Sequence, residues 1–574
     1  MSEKFSAYKK AGQSLAKEHF VWPLFGAGLE NLGVNDAPIS VPIPAYGPNE
    51  LLVRHDACGL CFSDIKVIRL GEEHPRIYRD MKKDPVILGH EVSMTVVGVG
   101  ENLQNQYQIG DRFIIQADIF VDGIGYAYGY EIQGGLSQYN VIDQRVLNGD
   151  EGNYLIPIHP ETGYAESALV EPWACVIAAY YLQYRTKIKD GGTAWFVGPE
   201  KGTYSLSSGM AADSHPAMIK LTDMNGPFGD WLREQADALD IPVIEVESIQ
   251  PVEGEADLNE QVDDIILLSP SVDLIEKISP YLAFHGTLIF RAQQRLEKKT
   301  NLDIGRVHYN RWLFLGGQDS DIAAIYQKAP ERSDLHKGGK ALFVGAGGPM
   351  GRMHVQHAVE AADPPAVIVC SDASDERLAD LDQTFGEEAQ QKGIEWHCVN
   401  PMNKEAYAKT MQGFKESGFD DVIMLVPIPP VISEGATWLA KGGVMNVFAG
   451  VARGTTAPID LNDLVYRNAR IIGHSASQIE DMLTMLQKVE HAVLSTNRSV
   501  AAVGSLSAAK DGMQALIDAT YPGKVVIFPN IRELPLTSLT ELHEILPSVA
   551  AKFKDGRTWT REAEQEFIEV MSKD

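Results

Sequence analysis

The sequence predicts an α/β protein in which a β-rich domain precedes two doubly wound parallel sheets in tandem. Three observations carry this. Up to about residue 185 the chain reads as short apolar runs separated by glycine and proline turns, the texture of a small barrel or sandwich. From Thr193 onward, apolar strands alternate with helix-length polar segments, as in βαβ units. That second texture occurs twice at a fixed offset: Tyr309 with Tyr466 and Gly316 with Gly473 are both 157 residues apart. A repeat of that size duplicates a whole domain, because solenoid units are far shorter.

Taken in order, residues 1–21 are a polar extension and 22–185 the β-rich domain, with Glu50–His55, Val92–Gly100 and Gly110–Ile115 as strands between turns. Residues 187–335 form the first wound copy, opened by Ala194–Gly198, and 340–490 the second, opened by Ala341–Gly345. Asp264–Pro270 parallels Asp421–Pro427, and Tyr281–Gly286 parallels Trp438–Gly443. Residues 497–540 return to the β-rich domain, and 541–574 form a helical tail with Trp559 and Phe567 as its packing residues.

A chain of 574 residues is too long for one ordinary domain, and 44% hydrophobic with 22% charged residues is globular composition. The net charge of −28 opposes sequence-independent binding to nucleic acid or to an anionic membrane, both of which need a basic face. Five cysteines (Cys58, Cys61, Cys175, Cys370, Cys398) are too few for a disulfide framework. Met1–Phe5 lacks a signal-peptide pattern, and no apolar run is long enough to span a bilayer. These features imply a soluble protein of a reducing compartment, the cytoplasm.

Chemistry concentrates between Ala57 and Glu91, where Cys61 and His90 occur on a strand, a loop and a second strand. A catalytic zinc takes three protein ligands of this mixed sulfur and nitrogen character and keeps one position open. Glu171, in Leu169–Cys175, is the best third ligand. Cys58 and Cys61 also make a Cys-x-x-Cys, but no second such pair exists, which removes a Cys₄ site, and the thioredoxin-like setting of a redox pair is missing.

The other motif is Val344-Gly345-Ala346-Gly347-Gly348-Pro349-Met350-Gly351, running from a predicted strand into a predicted helix. Gly345, Gly347, Gly348, Met350 and Gly351 fit a Rossmann dinucleotide loop, one residue longer than G-x-G-x-x-G. Such loops bring backbone and a helix N-terminus against a pyrophosphate. Asp372 ends the next strand, where a carboxylate binds the ribose 2′-hydroxyl and repels a 2′-phosphate, so NAD is favoured and NADP left open. In the first copy Gly198 and Gly202 are poorly spaced, and Glu200 places a carboxylate where a pyrophosphate would enter. This copy reads as structural or regulatory.

Residues 22–185 resemble the GroES-like catalytic domain of the zinc-dependent medium-chain alcohol and polyol dehydrogenases. The motifs Gly59-Leu60-Cys61-Phe62-Ser63-Asp64, Gly89-His90-Glu91, Gly110-Asp111-Arg112-Phe113 and Glu171-Pro172 stand in the family's order. The resemblance implies one catalytic zinc per chain on Cys61, His90 and Glu171, with Glu91 as alternate or outer ligand. It makes Ser63 the acceptor of the substrate's hydroxyl proton and puts Lys66 where many members have a relay histidine. It also implies a homodimer or homotetramer. Ile114–Gln138 has no cysteine, so the family's structural zinc lobe is absent, and the first wound copy is not a family part.

Between Cys61 and His90 lies a local basic cluster, with Arg76, Arg79 and Lys82 as candidates for a substrate phosphate. Its rival is a solvated loop balanced by Glu72, Glu73, Asp80 and Asp84. Ile114–Asp118 with Lys66 resembles the branch that reduces sorbose 1-phosphate. The expected activity is hydride transfer between a nicotinamide cofactor and a secondary alcohol or ketone of a polyol, sugar or sugar phosphate. The alternatives are a zinc-free reductase of the same fold and a non-catalytic dinucleotide sensor.

Overall fold

Strand β1 (Leu51–Gly59) is buried at all nine positions, so Arg54, His55 and Asp56 must find their partners inside the protein. Asp56 pairs with Arg54 at 2.7 Å and accepts the Thr95 hydroxyl at 2.5 Å. The Arg54 guanidinium lies 3.7 Å from the centre of the Tyr8 ring and donates to the Tyr8 carbonyl. The His55 Nδ1 meets the Ser137 carbonyl at 2.9 Å and its Nε2 the Tyr128 hydroxyl at 2.6 Å. This computed structural model describes residues 3–11, 15–252, 254, 256–329 and 334–572. The chain divides into two units, Met1–Ala178 with Gly348–Met353 and Ala476–Asp574, and Ala179–Gly347 with His354–Ser475.

In the first unit β1 leads into helix α1 (Phe62–Leu70), then β2 (Glu91–Val99), β3 (Arg112–Ile115), β4 (Tyr139–Ile142) and β5 (Leu155–Pro157). Helices α2 (Tyr164–Ala168) and α3 (Val170–Ala178) follow. One apolar core gathers Trp22, Val53, Leu60, Ile65, Val92 and Ile115.

The second unit holds both wound sheets. The first comprises β6 (Thr193–Val197), β7 (Met218–Thr222), α4 (Pro227–Ala238), β8 (Val243–Glu245), β9 (Val262–Leu267), β10 (Leu282–Arg291), β11 (Thr300–Asp303), α5 (Ile304–Tyr309) and β12 (Leu313–Gly317). The second comprises β13 (Lys340–Val344), α6 (Pro349–Glu360), β14 (Val367–Ser371), β15 (Glu395–Val399), β16 (Phe419–Met424), β17 (Leu439–Val447), β18 (Thr456–Ile459), α7 (Asn462–Tyr466) and β19 (Arg470–Gly473).

Six parallel strands run β8-β7-β6-β9-β10-β12 in the first sheet and β15-β14-β13-β16-β17-β19 in the second. Numbered within each copy and setting aside β11 and β18, both read 3-2-1-4-5-6, the order of dinucleotide-binding sheets. Strand order reverses beside the first strand, so the crevice for a ligand opens at the carboxyl ends there.

The two copies differ at that crevice. In the second, β13 passes through glycines into α6. In the first, the connection from β6 to β7 (residues 198–217) forms no helix. Glu200 instead accepts the backbone N–H groups of Gly226, Phe228 and Gly229 at 2.8–3.0 Å. The carboxylate thus caps α4 from within the chain, filling an N-terminus that would otherwise suit an external anion.

Past the second copy the chain re-enters the first unit with β20 (Val500–Ser505), β21 (Lys524–Phe528) and β22 (Thr537–Ser538). These complete an eight-stranded sheet of order β5-β3-β2-β1-β21-β20-β22, with β4 paired to β1. Helix α8 (Arg561–Met571) ends the tail. Phe567 and Trp559 pack on Phe528 of β21, the first ring at 5.0 Å. Among the described residues no helix is long and apolar enough to cross a membrane.

Candidate active site

Cys61 is the N-cap of α1, and its place is fixed by Asp64 three residues later. Asp64 Oδ2 accepts the Cys61 N–H at 3.0 Å, while Oδ1 accepts the Gly89 N–H at 3.3 Å and lies 3.1 Å from His90 Nδ1. One buried carboxylate therefore ties the cysteine loop to the histidine turn. It also holds the Nδ1–H tautomer, which leaves Nε2 as the electron-pair donor, the usual outer support of a metal-binding histidine. Gly89 has φ +98°, and a Cβ there would stand 2.6 Å from Cys58 Sγ, so only glycine makes this turn.

Glu91 opens β2 opposite Gly59 of β1. A Cβ on Gly59 would come within 2.1 Å of Glu91 Oε2, so the bare backbone makes room for the carboxylate. Oε1 takes a 2.5 Å ion pair from Lys524 Nζ at the start of β21, with both side chains buried. Oε2 is buried with no hydrogen-bond partner. The ligand atoms of Cys61, His90 and Glu91 lie within 4.8 Å of one another, the one such grouping among the described residues. Glu171, in the first turn of α3, stands outside that grouping. Its carboxyl is pushed up to about 7, by burial first and then by the Glu91 charge, against the pull of His90 and Lys524.

The electrostatics suit a cation. Burial pulls the His90 imidazole down, yet Asp64 and Cys61 beside it hold it well above its ordinary value. Lys524 is likewise held high: burial opposes its charge, but Glu91, Cys61 and Glu171 favour it. The donor set of thiol, imidazole and carboxylate, the acid excess over one buried lysine, and the orphaned Glu91 oxygen all fit zinc.

Ser63 and Lys66 follow Cys61 on α1, both half-buried. Tyr130 sets its ring edge-on to His90 at 5.9 Å and to His74 at 5.0 Å. His74 is lowered to about 4, by burial first and then by the charges of Arg76 and Lys66. Arg76 is paired with Asp118 and lies 5.6 Å from the centre of the Phe120 ring. Arg79 is paired with Asp84 at 3.0 Å and Glu131 at 3.2 Å, and Lys82 is exposed. Arg76 and Arg79 thus both have acidic partners, and Arg76 in addition adjoins His74, which shares the Tyr130 ring with His90.

At the second sheet, Gly345 has φ +86° and Gly345 and Ala346 donate to the Ser371 carbonyl. Gly347 N–H donates to Asp372 Oδ2 at 2.9 Å, and Ser374 N–H to Oδ1 at 3.0 Å. A Cβ on Gly347 would stand 2.6 Å from Arg377 Cβ and 3.0 Å from Asp372 Cγ. The glycine loop and the carboxylate at the end of β14 are thereby in direct contact. Pro349 occupies the first position of α6, where its missing N–H costs nothing.

The profile of the alcohol dehydrogenase GroES-like domain matches residues 47–149, and that of the zinc-binding dehydrogenase domain matches residues 349–491. The chain thus carries the GroES-like domain and the zinc-binding domain of the alcohol dehydrogenases. A mannitol-1-phosphate 5-dehydrogenase of Aliivibrio fischeri is 22% identical over 544 residues, spanning 92% of this chain and 93% of that protein. An L-sorbose 1-phosphate reductase of Klebsiella pneumoniae is 26% identical over 307 residues, 49% of this chain and 73% of its own. The crystal structure of 2R,3R-butanediol dehydrogenase from Bacillus subtilis shares the fold, with a TM-score of 0.50 at 16% identity, covering 89% of this chain and all of that one.

Two residues of the candidate site have no role in the sequence reading. Asp64 stands in the quoted cysteine motif, and its spacing of three from an N-cap is a capping signal that could have given it a role. Lys524 is 433 residues from Glu91, and nothing local announces the contact.

Proposed function

We propose that this protein is a zinc-dependent, NAD-linked dehydrogenase that interconverts a secondary alcohol and its ketone on a polyol, sugar or sugar phosphate. The observation that carries this reading is the convergence of Cys61, His90 and Glu91 on one point, with Asp64 fixing the imidazole. Glu171, close enough to feel the charges of His90 and Glu91, is the third ligand beside Cys61 and His90, with Glu91 as the alternate or outer one, so that one position stays open to substrate. When bound, zinc supplies Lewis acidity toward the substrate's oxygen, and the nicotinamide takes up or returns the hydride.

The chain's own residues do the rest. Asp64 keeps the His90 donor nitrogen aimed at the site. Ser63 takes the hydroxyl proton as the alcohol is oxidised while passing its own to solvent, and both transfers run backwards in reduction. Lys66, on the next turn of α1, adds positive charge beside it and favours the alkoxide. Asp372, at the carboxyl edge of β14, accepts from the adenosine ribose and disfavours a 2′-phosphate. A phosphorylated substrate is supported by the names of the two relatives and by Lys66, His74 and Arg76 standing near the metal ligands.

The test is turnover of NAD and NADP across polyols and their phosphates, with zinc quantified in the same preparations. Cys61→Ser should lose zinc and turnover yet bind NAD within about twofold of the parent. Asp372→Ser should move the cofactor preference toward NADP by about tenfold or more, the scale of one lost charge-assisted contact. Full turnover without stoichiometric zinc would sink the zinc chemistry, and dinucleotide binding with no alcohol turned over would favour a sensor.

A further inference from the structure

The two wound copies meet each other through equivalent surfaces. Strands β11 and β18 pair antiparallel, with Thr300 opposite Ile459, Asn301 opposite Pro458, Leu302 opposite Ala457 and Asp303 opposite Thr456. Asn301 and Pro458 are 157 residues apart, the repeat offset, so each is the other's counterpart. Exchanging the copies therefore maps three of the four pairs onto one another, with the Thr300 pair becoming the Leu302 pair.

The flanking contacts match to within one residue of the same offset. A Cβ on Gly473 would stand 2.5 Å from the Val307 carbonyl of α5, and one on Gly316 would stand 2.6 Å from Val465 of α7. The Arg453 guanidinium lies 5.0 Å from the centre of the Tyr309 ring, and Arg295 is 5.0 Å from that of Tyr466. Leu302, Ile304 and Val307 share one apolar core with Ala457, Ile459 and Leu464. A self-complementary contact of this kind is what two identical chains use to form a two-fold dimer. Here it is closed within one chain.

The contact also reaches the ligand edge of the second sheet. Residues 448–455 follow β17 at its carboxyl end, the edge where open α/β sheets take their ligands. Asp303, the N-cap of α5 in the first copy, accepts the Gly454 N–H at 3.1–3.2 Å. Ile304 N–H donates to the Thr455 carbonyl at 3.0 Å, and Arg453 donates to Asn310 at 2.7 Å. The first copy thus grips a loop of the second, while its own crevice lacks the helix after β6 and has its α4 N-terminus filled by Glu200.

We propose that the first copy is a built-in partner subunit: it occupies the second copy's self-association face and holds loop 448–455 in place, so that one chain with one dinucleotide site is the working unit. Asp303 and Asn310 are then positioning residues for the cofactor. The positioning claim rests on the reading that the second copy holds the dinucleotide. The claim about the face does not.

Sedimentation or native mass measurement of the full chain at micromolar concentration should give the one-chain mass of 63.0 kDa. Equilibrium titration with NAD should saturate at one per chain. Asp303→Ala should raise the NAD dissociation constant and KM by about five- to tenfold, the scale of a lost cap, with zinc content and the KM for alcohol unchanged. Asp303→Asn keeps a capping oxygen and should restore binding to within about twofold. A stable two-chain species, two dinucleotides per chain, or unaltered NAD affinity in Asp303→Ala would each overturn the proposal. If the parent bound no dinucleotide at all, the functional reading would fall while the mass still decided whether the face is used within the chain.

Discussion

Replacing Lys524 by methionine tests how the candidate metal site is held together. The change keeps most of the length of the side chain and removes its charge. Lys524 is 4% exposed and Glu91 fully buried, their charged atoms are 2.5 Å apart, and the other Glu91 oxygen has no hydrogen-bond partner. Glu91 is therefore left as a buried carboxylate with nothing to compensate it. Removing one member of such a pair costs about 3–5 kcal/mol, while replacing both members by apolar groups is close to neutral. Lys524→Met should cost that amount in metal-free protein, and Glu91→Leu with Lys524→Met together should recover most of it. Zinc should reduce the cost of the single change, because an ion beside Glu91 takes over part of the role of the lysine. The chain has two units, so one global unfolding curve is a poor measure. Hydrogen exchange at Cys58, Gly59, Val526 and Ile527, where β1 and β21 pair, reads the local free energy directly. Protection at those amides within about 1 kcal/mol of the parent, with chelator present, would refute the argument.

Two further outcomes follow from buried groups. His55 is depressed to about 4, by burial first, with its bond to the Ser137 carbonyl opposing. Its Nε2 accepts from Tyr128, so a proton there has no place to go. The unfolded chain binds that proton near pH 6.5 and the folded chain only near pH 4. The His55 contribution, about 3 kcal/mol, is therefore complete above pH 6.5 and lost as pH falls to about 4. His55→Gln should lower stability overall but flatten its slope between those pH values, and an unchanged slope would contradict the assignment. In the tail, Glu564 accepts the Tyr164 and Ala165 N–H groups at 2.5 and 2.7 Å, which caps α2 from α8. Glu564→Ala should cost about 2–3 kcal/mol in hydrogen exchange at the Ser167 and Leu169 amides, as two bonds to one buried carboxyl are lost, and unchanged protection there would mean the tail does not brace this helix.

The two wound sheets and the nearness of Cys61 to His90 were legible for a shared reason: both write themselves in short, contiguous signals. Strand-length apolar runs alternating with helix-length segments suffice for a doubly wound sheet, and the Cys61 and His90 motifs each occupy a few residues. Glu200 was legible as an obstacle to pyrophosphate, but its actual work was not. Its three amide partners lie 26 to 29 residues away on α4, a contact that spacing does not encode. Lys524 was invisible for the same reason at greater range. The β11–β18 ladder escaped because each strand has four residues, too few for alternation to stand out.

The two kinds of resemblance between the copies separate cleanly by location. Tyr309 and Tyr466, with Gly316 and Gly473, kept the constant spacing that made the repeat readable, and all four lie in the contact between copies. The tyrosines take the arginines, and the glycines let α5 and α7 approach the last strands. The loops after β6 and β13 differ most, one glycine-rich and leading into a helix, the other carrying a cis proline and an internal carboxylate. A duplicate held for nucleotide binding would show the opposite pattern, with matching loops and a drifted face. The pattern present is that of a domain held for its face.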